Sequence, residues 1–381
     1  MPCRPLKRDA RLPFLPRAAE MRVSDCFSAD YASARVAFRA AATAAGAALE
    51  SHHNPATGPD GIALGCDTAR LGSPRAERLL ILLSGTHGVE GFLGSGIQIG
   101  LLRSGLAREL AEGVGLLFIH AINPGGFAWL RRVSEGNIDL NRNFIDHRRP
   151  PPANPGYEQL KHAICPTAWT VEARAAADAK LTAYGAAHGA AALQAAVTSG
   201  QYVDPRGVFY GGQQPCWSNR TLRQILAQHG AWLRHVAFID LHSGLGPYGV
   251  GEIMNNHGAD HGGYRRIADW FGGEATSGET GNSSSAPVSG DTTVAFDETL
   301  PRAALSGITL EYGTLPLKDM LDAIRADNWL HIHGRLDSAE GKVIKAQIRE
   351  AFYPDREDWK TLVWERAADV TRRMAKGLAQ S

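Results

Sequence analysis

Runs of consecutive apolar residues recur along the chain, most of them followed by glycine, serine or a polar side chain. They read LLILLS at 79–84, VGLLFIHAI at 114–122, HVAFIDLHS at 235–243, GEIMNN at 251–256 and GITLEYG at 307–313. Apolar runs of this length predict strands buried on both faces. Between most of them the apolar positions fall at helical spacing. After Gly94 they stand at Ile97, Leu101, Leu102, Leu106 and Leu110, and DYASARVAFRAAATAAGAAL near the start has the same character. This alternation predicts an α/β fold, a central mixed and mostly parallel sheet flanked by helices. The alanine-rich segment 168–197 predicts a helical pair, since alanine has the highest helix propensity. Its apolar content is too low for an independent core, so it is expected to pack on the main sheet. The expected organisation is a disordered Pro/Arg-rich tail over 1–21, with Met21 as an alternative start, then one domain over 22–381 with helical elaborations at about 155–230 and after 340.

Composition narrows the class. With 44% hydrophobic and 21% charged residues the chain is an ordinary globular protein. Forty basic and 39 acidic residues leave a formal charge of +1 without a long basic run, so neither nucleic acid nor a membrane surface is an expected partner. The only apolar piece of the first twenty residues, LPFLP, is too short and proline-broken for a signal peptide. No apolar stretch approaches the roughly 18 residues of a membrane span. Five scattered cysteines with no CxxC pair argue against a disulfide framework or a cysteine zinc site, and a reducing cytoplasm is the expected setting.

Polar side chains then stand where the strands end. His87 and Glu90 follow the first run, on a strand-to-helix loop, and ligands bind at that edge of α/β sheets. NPGGFAWLRRVSEGNIDLNRNF (123–144) follows the second and brings Arg132, Asn141 and Arg142, donors suited to a carboxylate or a developing oxyanion. Asp240 and His242 end the third, and Glu311 ends the last. Singly, each has a plainer reading: a hydrogen-bonded structural histidine, a glutamate paired with arginine, a solvated loop. Together, two histidines and a carboxylate are the ligand set of a catalytic zinc with an open fourth position, and a second carboxylate is left over as a base.

Other features carry less. GLGPYG (244–249) matches G-x-G-x-x-G, but Pro247 interrupts it and a strand follows where a dinucleotide site needs a helix. No G-x-S-x-G elbow supports a serine hydrolase. His331 and His333 share one side of any extended segment and have no carboxylate cluster nearby, so a surface or packing role is expected. His52 and His53 read as solvated loop residues, and Cys216 has no activating base. The stretch FYGGQQPCWSN (209–219) reads as a site-lining loop or as a turn around a buried Trp217. GNSSSAPVSGDTT (281–293) is a long polar loop, and loops of that length are often functional.

The segments HGVEG, NPGGF, R-x-x-x-x-x-x-D-L-N-R-N and LHS, with the final glutamate, resemble the zinc carboxypeptidase superfamily in the correct order over residues 79–313. They are most similar to an uncharacterised bacterial branch, and the succinylglutamate desuccinylase and aspartoacylase group shares the ligand and N-R pattern. The resemblance implies a zinc carboxypeptidase-like fold and one zinc ion per chain, held by His87, Glu90 (bidentate) and His242. It implies Glu311 as general base, Arg132 as the group polarising the scissile carbonyl, and Asn141 and Arg142 as the grip on a substrate carboxylate. Arg132 is preferred to Arg131 on spacing alone, seven residues before Asp139. The substrate implied is a small peptide or, as the alternative, an N-acyl amino acid. A non-catalytic binding module on the same scaffold is the third reading. Carboxypeptidases carry a mobile tyrosine some twenty residues before the base, and SGDTTVAFDETLPRAALSG has none.

Overall fold

The computed structural model describes residues 21–105, 114–230, 232–286 and 288–381. Within them, eight strands form one sheet: β1 (Ala48–Thr57), β2 (Ala63–Leu71), β3 (Arg78–Ser84), β4 (Val114–His120), β5 (His235–Tyr248), β6 (Gly251–Asn255), β7 (Ala275–Thr276) and β8 (Ala304–Gly313). Their order across the sheet is β1-β2-β4-β3-β5-β8-β6-β7. The central strands β4, β3, β5 and β8 run parallel, while β2 joins β4 and β6 joins β8 antiparallel. Twelve helices surround it: α1 (Tyr31–Ala44), α2 (Gly91–Ser104), α3 (Pro124–Ala128), α4 (Pro155–Ile164), α5 (Val171–His188), α6 (Ala190–Thr198), α7 (Trp217–Gly230), α8 (Gly262–Phe271), α9 (Thr293–Thr299), α10 (Leu317–Ile332), α11 (Ala339–Phe352) and α12 (Glu357–Ala379).

Strand pleating explains the unbroken apolar runs. Along β3, Leu80 and Leu82 enter one core with Phe38 of α1, Phe92 of α2 and Val363 of α12, while Leu79, Ile81 and Leu83 enter a second with Leu222 of α7 and Phe296 of α9. Both faces are covered, so both sets of alternate positions must be apolar. The alanine-rich pair is α5 and α6, split at Gly189, and with α4 it forms a smaller core that reaches Leu321 and Ile324 of α10.

All five expected strands are present, and β1, β2 and β7 are additions. Exposed and partly buried residues dominate β1, as suits an edge strand, and that left no apolar signature to read. His52 and His53 therefore stand on this strand opposite Cys66 and Gly65, and not in a loop. His331 and His333 are at the end of α10, where His331 Nε2 lies 2.7 Å from Lys345 Nζ and 3.7 Å from Asp327. The single carboxylate beside His331 belongs to a packed network, which agrees with the packing role expected of it. Trp217 is only partly buried and opens α7. Residues 1–20 of the expected tail, and Leu106 and Leu110 of the expected helix, lie outside the described residues, whereas Met21 packs against the core. Cys26, Cys66, Cys165 and Cys216 are unpaired. Among the described residues, no helix is long and apolar enough to cross a membrane.

Candidate metal centre

At the C-terminal edge of β3, the chain turns through His87 and a single 3-10 turn, Gly88–Glu90, straight into α2. The turn presses backbone to backbone against α3: a Cβ on Gly88 would stand 2.0 Å from the Gly126 carbonyl carbon. Only glycine fits that approach. The amides of Gly88 and Val89 donate to the carbonyls of Arg132 and Arg131 at 3.0 and 2.8 Å, which ties this turn to the arginine loop. On the next two strands beyond β3, His242 of β5 and Glu311 of β8 are register partners in the parallel pairing. Parallel pleating sends both side chains to the same side of the sheet.

Three of these side chains converge. His87 Nδ1 lies 2.8 Å from Glu90 Oε1, and His242 Nδ1 lies 2.8 Å from Glu90 Oε2, so each carboxylate oxygen faces one imidazole. The three ligand atoms stand within 4.8 Å of one another, and all three residues are buried. The rings' far nitrogens point to carboxylates. His87 Nε2 lies 3.3 Å from Asp139 and His242 Nε2 lies 3.1 Å from Asp240. Neither contact has hydrogen-bond alignment. This donor set fits a zinc ion: two imidazole nitrogens and a two-oxygen carboxylate converge on one point, with a carboxylate behind each ring to hold the nitrogen lone pair inward. Around that point the carboxyl groups of Glu90, Asp139, Asp240 and Glu311 outnumber the guanidinium groups of Arg132 and Arg142, a balance that favours a cation.

The ionisable groups respond to this crowding. Burial opposes ionisation of Glu90, but the two histidines overcome it and hold the carboxyl well below its ordinary range. His242 is likewise opposed by burial, and Asp240 and Glu90 raise it well above the usual imidazole value. Burial and the nearby Glu90 charge push Glu311 up to about 8, against the pull of His242, the Leu245 N–H and Arg132. A raised carboxyl is a stronger proton acceptor once ionised, the direction that suits a general base. Glu311 Oε1 accepts that Leu245 N–H at 2.9 Å.

These groups line a cavity of about 630 Å³ that also takes in Arg132, Asn141 and Arg142. Arg132 is anchored by Nε to Asp139 at 3.0 Å and reaches Glu90 at 3.3 Å. Arg131 instead pairs with Asp327 and Asn137 and lines a separate, smaller cavity. Asn141 Oδ1 accepts the Thr292 N–H at 3.2 Å. Arg142 is buried against the Phe209 ring, with its Nε unpartnered among the described residues. Part of its lining, from Leu181, Leu193, Val197 and Leu321, is apolar, and another part, from Asn255, Ser283, Ser285 and Thr292, is polar. The long polar loop thus borders the site, as does Phe209.

Sequence reasoning singled out every residue at this convergence except the supporting ones. Asp139 entered only as a spacing mark, and Asp240 as a neighbour of His242; the alternation in D-x-H was the available signal. Thr86 and Thr292, which both donate to Asp240, gave none. A second group, His257, His261 and Asp297, also has its potential ligand atoms within 4.8 Å.

A family model described as "Protein of unknown function (DUF2817)" matches residues 27–366. The chain belongs to this family. No curated protein matches the chain. Among solved structures it is similar to the succinylglutamate desuccinylase from Chromobacterium violaceum, at 15% identity over 82% of this chain and 72% of that one, with TM-score 0.36. It is similar to the carboxypeptidase A from Helicoverpa armigera at 14% identity, over 84% and 73% of the two chains, with TM-score 0.41. A glutaminyl cyclase from Fimbriiglobus ruber aligns over 96% and 99% of the two chains at 11% identity, with TM-score 0.36.

Proposed function

We propose that this chain is a zinc-dependent, carboxypeptidase-like hydrolase that cleaves an amide bond beside a carboxylate-bearing group, with one zinc ion held by His87, Glu90 and His242. The observation that carries the reading is the convergence of those three side chains inside a cavity, with Glu311 beside His242 and Arg132 beside Glu90. When bound, zinc supplies Lewis acidity that makes water nucleophilic near neutral pH and polarises the amide carbonyl. Glu311 removes a proton from the attacking water and returns it to the leaving nitrogen, so that hydroxide adds to the acyl carbon and the amine departs neutral. Arg132 holds the amide oxygen as it gains charge. Asn141 and Arg142 bind the substrate carboxylate, for which a guanidinium fork fixes geometry better than an ammonium. The cavity volume suits a small molecule or short peptide.

A second reading, an N-acyl amino acid amidohydrolase, is favoured by one observation: no tyrosine is among the described residues that line the cavity. The cytoplasmic setting expected from the cysteines is part of the proposal. The test is metal content by mass spectrometry, followed by turnover of peptides and N-acyl amino acids by wild type and Glu311→Gln. The expected outcome is about one zinc in both proteins and a rate at least ~10³-fold lower in the variant, since removing a proton-transfer group costs about 10²–10⁴-fold. Equal rates in the two proteins would sink the mechanism, and zinc-free wild type would leave a binding module.

A further inference from the structure

We infer that Thr292 is a positioning residue, a latch through which the polar loop holds both the metal-ligating His242 and the substrate-facing amide of Asn141. The inference rests on the zinc reading and extends it to a residue outside the ligand set.

Thr292 is 1% exposed and spends both of its hydrogen-bond donors on the site. Its hydroxyl donates to Asp240 Oδ2 at 2.8 Å, and the Thr86 hydroxyl donates to Asp240 Oδ1 at 2.7 Å. Asp240 is therefore pinned by one hydroxyl on each oxygen, and its Oδ2 stands 3.1 Å from His242 Nε2. The negative charge of a carboxylate held this close to Nε2 favours the imidazole proton on that nitrogen and so leaves the Nδ1 lone pair for an ion. The other pinning hydroxyl comes from the residue just before His87. The backbone N–H of Thr292 meanwhile donates to Asn141 Oδ1 at 3.2 Å. This occupies the amide's acceptor end and leaves Nδ2, a donor, for the cavity, which matches a substrate carboxylate. Two parts of the site that are about one hundred residues apart in sequence thus depend on one threonine at the end of the loop.

The two bonds can be separated. Thr292→Val keeps the β-branched shape and the backbone N–H and removes only the hydroxyl. Zinc affinity, read by competition with a chromophoric chelator, is expected to fall by about 10-fold or more, the usual effect of losing such an outer partner. KM of an amide substrate stays within about twofold of wild type, because the N–H to Asn141 remains. Thr292→Ser restores the affinity. A buried threonine with only a packing role predicts the opposite order, with valine tolerated and serine worse. Should the valine variant fail to fold, Thr292→Ala, which leaves space instead of strain, must show the same loss relative to serine. Wild-type zinc affinity in a folded valine or alanine variant overturns the latch alone. Wild-type protein that takes up no zinc overturns the zinc reading and the latch with it.

Discussion

In the buried group of His87, Glu90 and His242 the imidazole planes are 66° apart with centroids 4.8 Å apart, whereas His257 and His261 lie nearly parallel, at 24° and 4.1 Å. An imidazole lone pair lies in the ring plane, so inclined rings can aim at one point and stacked rings cannot. The surroundings differ as well. The first pair has Asp139 and Asp240 behind it and Glu90 between, while His261 Nδ1 is committed to the Gly263 N–H as the cap of α8. The charge of Arg266 adds to burial in lowering His257. Both groups pass a test of closeness. Only one passes a test of convergence, and that difference teaches what distinguishes a candidate metal centre from a histidine cluster.

Replacing a converging ring should have the largest effect. His87→Ala and His242→Ala are each expected to lose the zinc, read by mass spectrometry, and to reduce turnover at least ~10³-fold; retention of a full equivalent in either would erase the contrast between the groups. Next, Asp139→Asn removes a backing carboxylate and should weaken zinc binding about 10- to 100-fold by chelator competition. An unchanged affinity would mean that ring orientation is set by packing alone.

The stacked group should announce itself through acid instead. Burial, His261 and Arg266 lower His257 to about 3. Its folded value lies below the unfolded one near 6.5, so its contribution to stability is complete above pH 6.5 and is lost as pH falls toward 3. At pH 5 the loss is about 2 kcal/mol. Urea unfolding at pH 7.5 and pH 5 should show this drop, and His257→Leu should reduce it; the same slope in the variant would mean that other groups carry the acid sensitivity. The smallest effect is expected from His257→Ala combined with His261→Ala, which should leave zinc stoichiometry unchanged. A lost equivalent would show that the stacked rings can open around an ion.

Much of this was legible because burial leaves a mark on sequence. Strands β3, β4, β5 and β8 read as apolar runs since both faces are covered, and they carry or immediately precede the site residues. The edge strand β1 has alternating exposure and a proline, so nothing in its composition set it apart from a loop. Glu90 and Glu311 show the other limit. Both are buried glutamates at the sheet edge, yet two histidines pull one down while burial and the Glu90 charge push the other up, and those surroundings are defined only once β5 lies between β3 and β8. Arg131 and Arg132 were distinguishable by spacing alone until the turn sent one toward Asp327 and the other into the cavity. The threonines on Asp240 were illegible because any buried threonine looks alike in a sequence.

The contact of Gly88 with Gly126 has a consequence for anyone who would transplant this centre. HGVEG and NPGGF meet backbone to backbone at Gly88 and Gly126, and the same turn makes two backbone hydrogen bonds to Arg132 and Arg131, so His87, Glu90 and the arginine loop form one solid part. A graft that carried His87 and Glu90 alone would leave behind the surface against which they were cast. On the proposed hydrolase reading, engineering of new specificity in this chain should therefore vary the apolar and polar lining and treat these two segments as a single block.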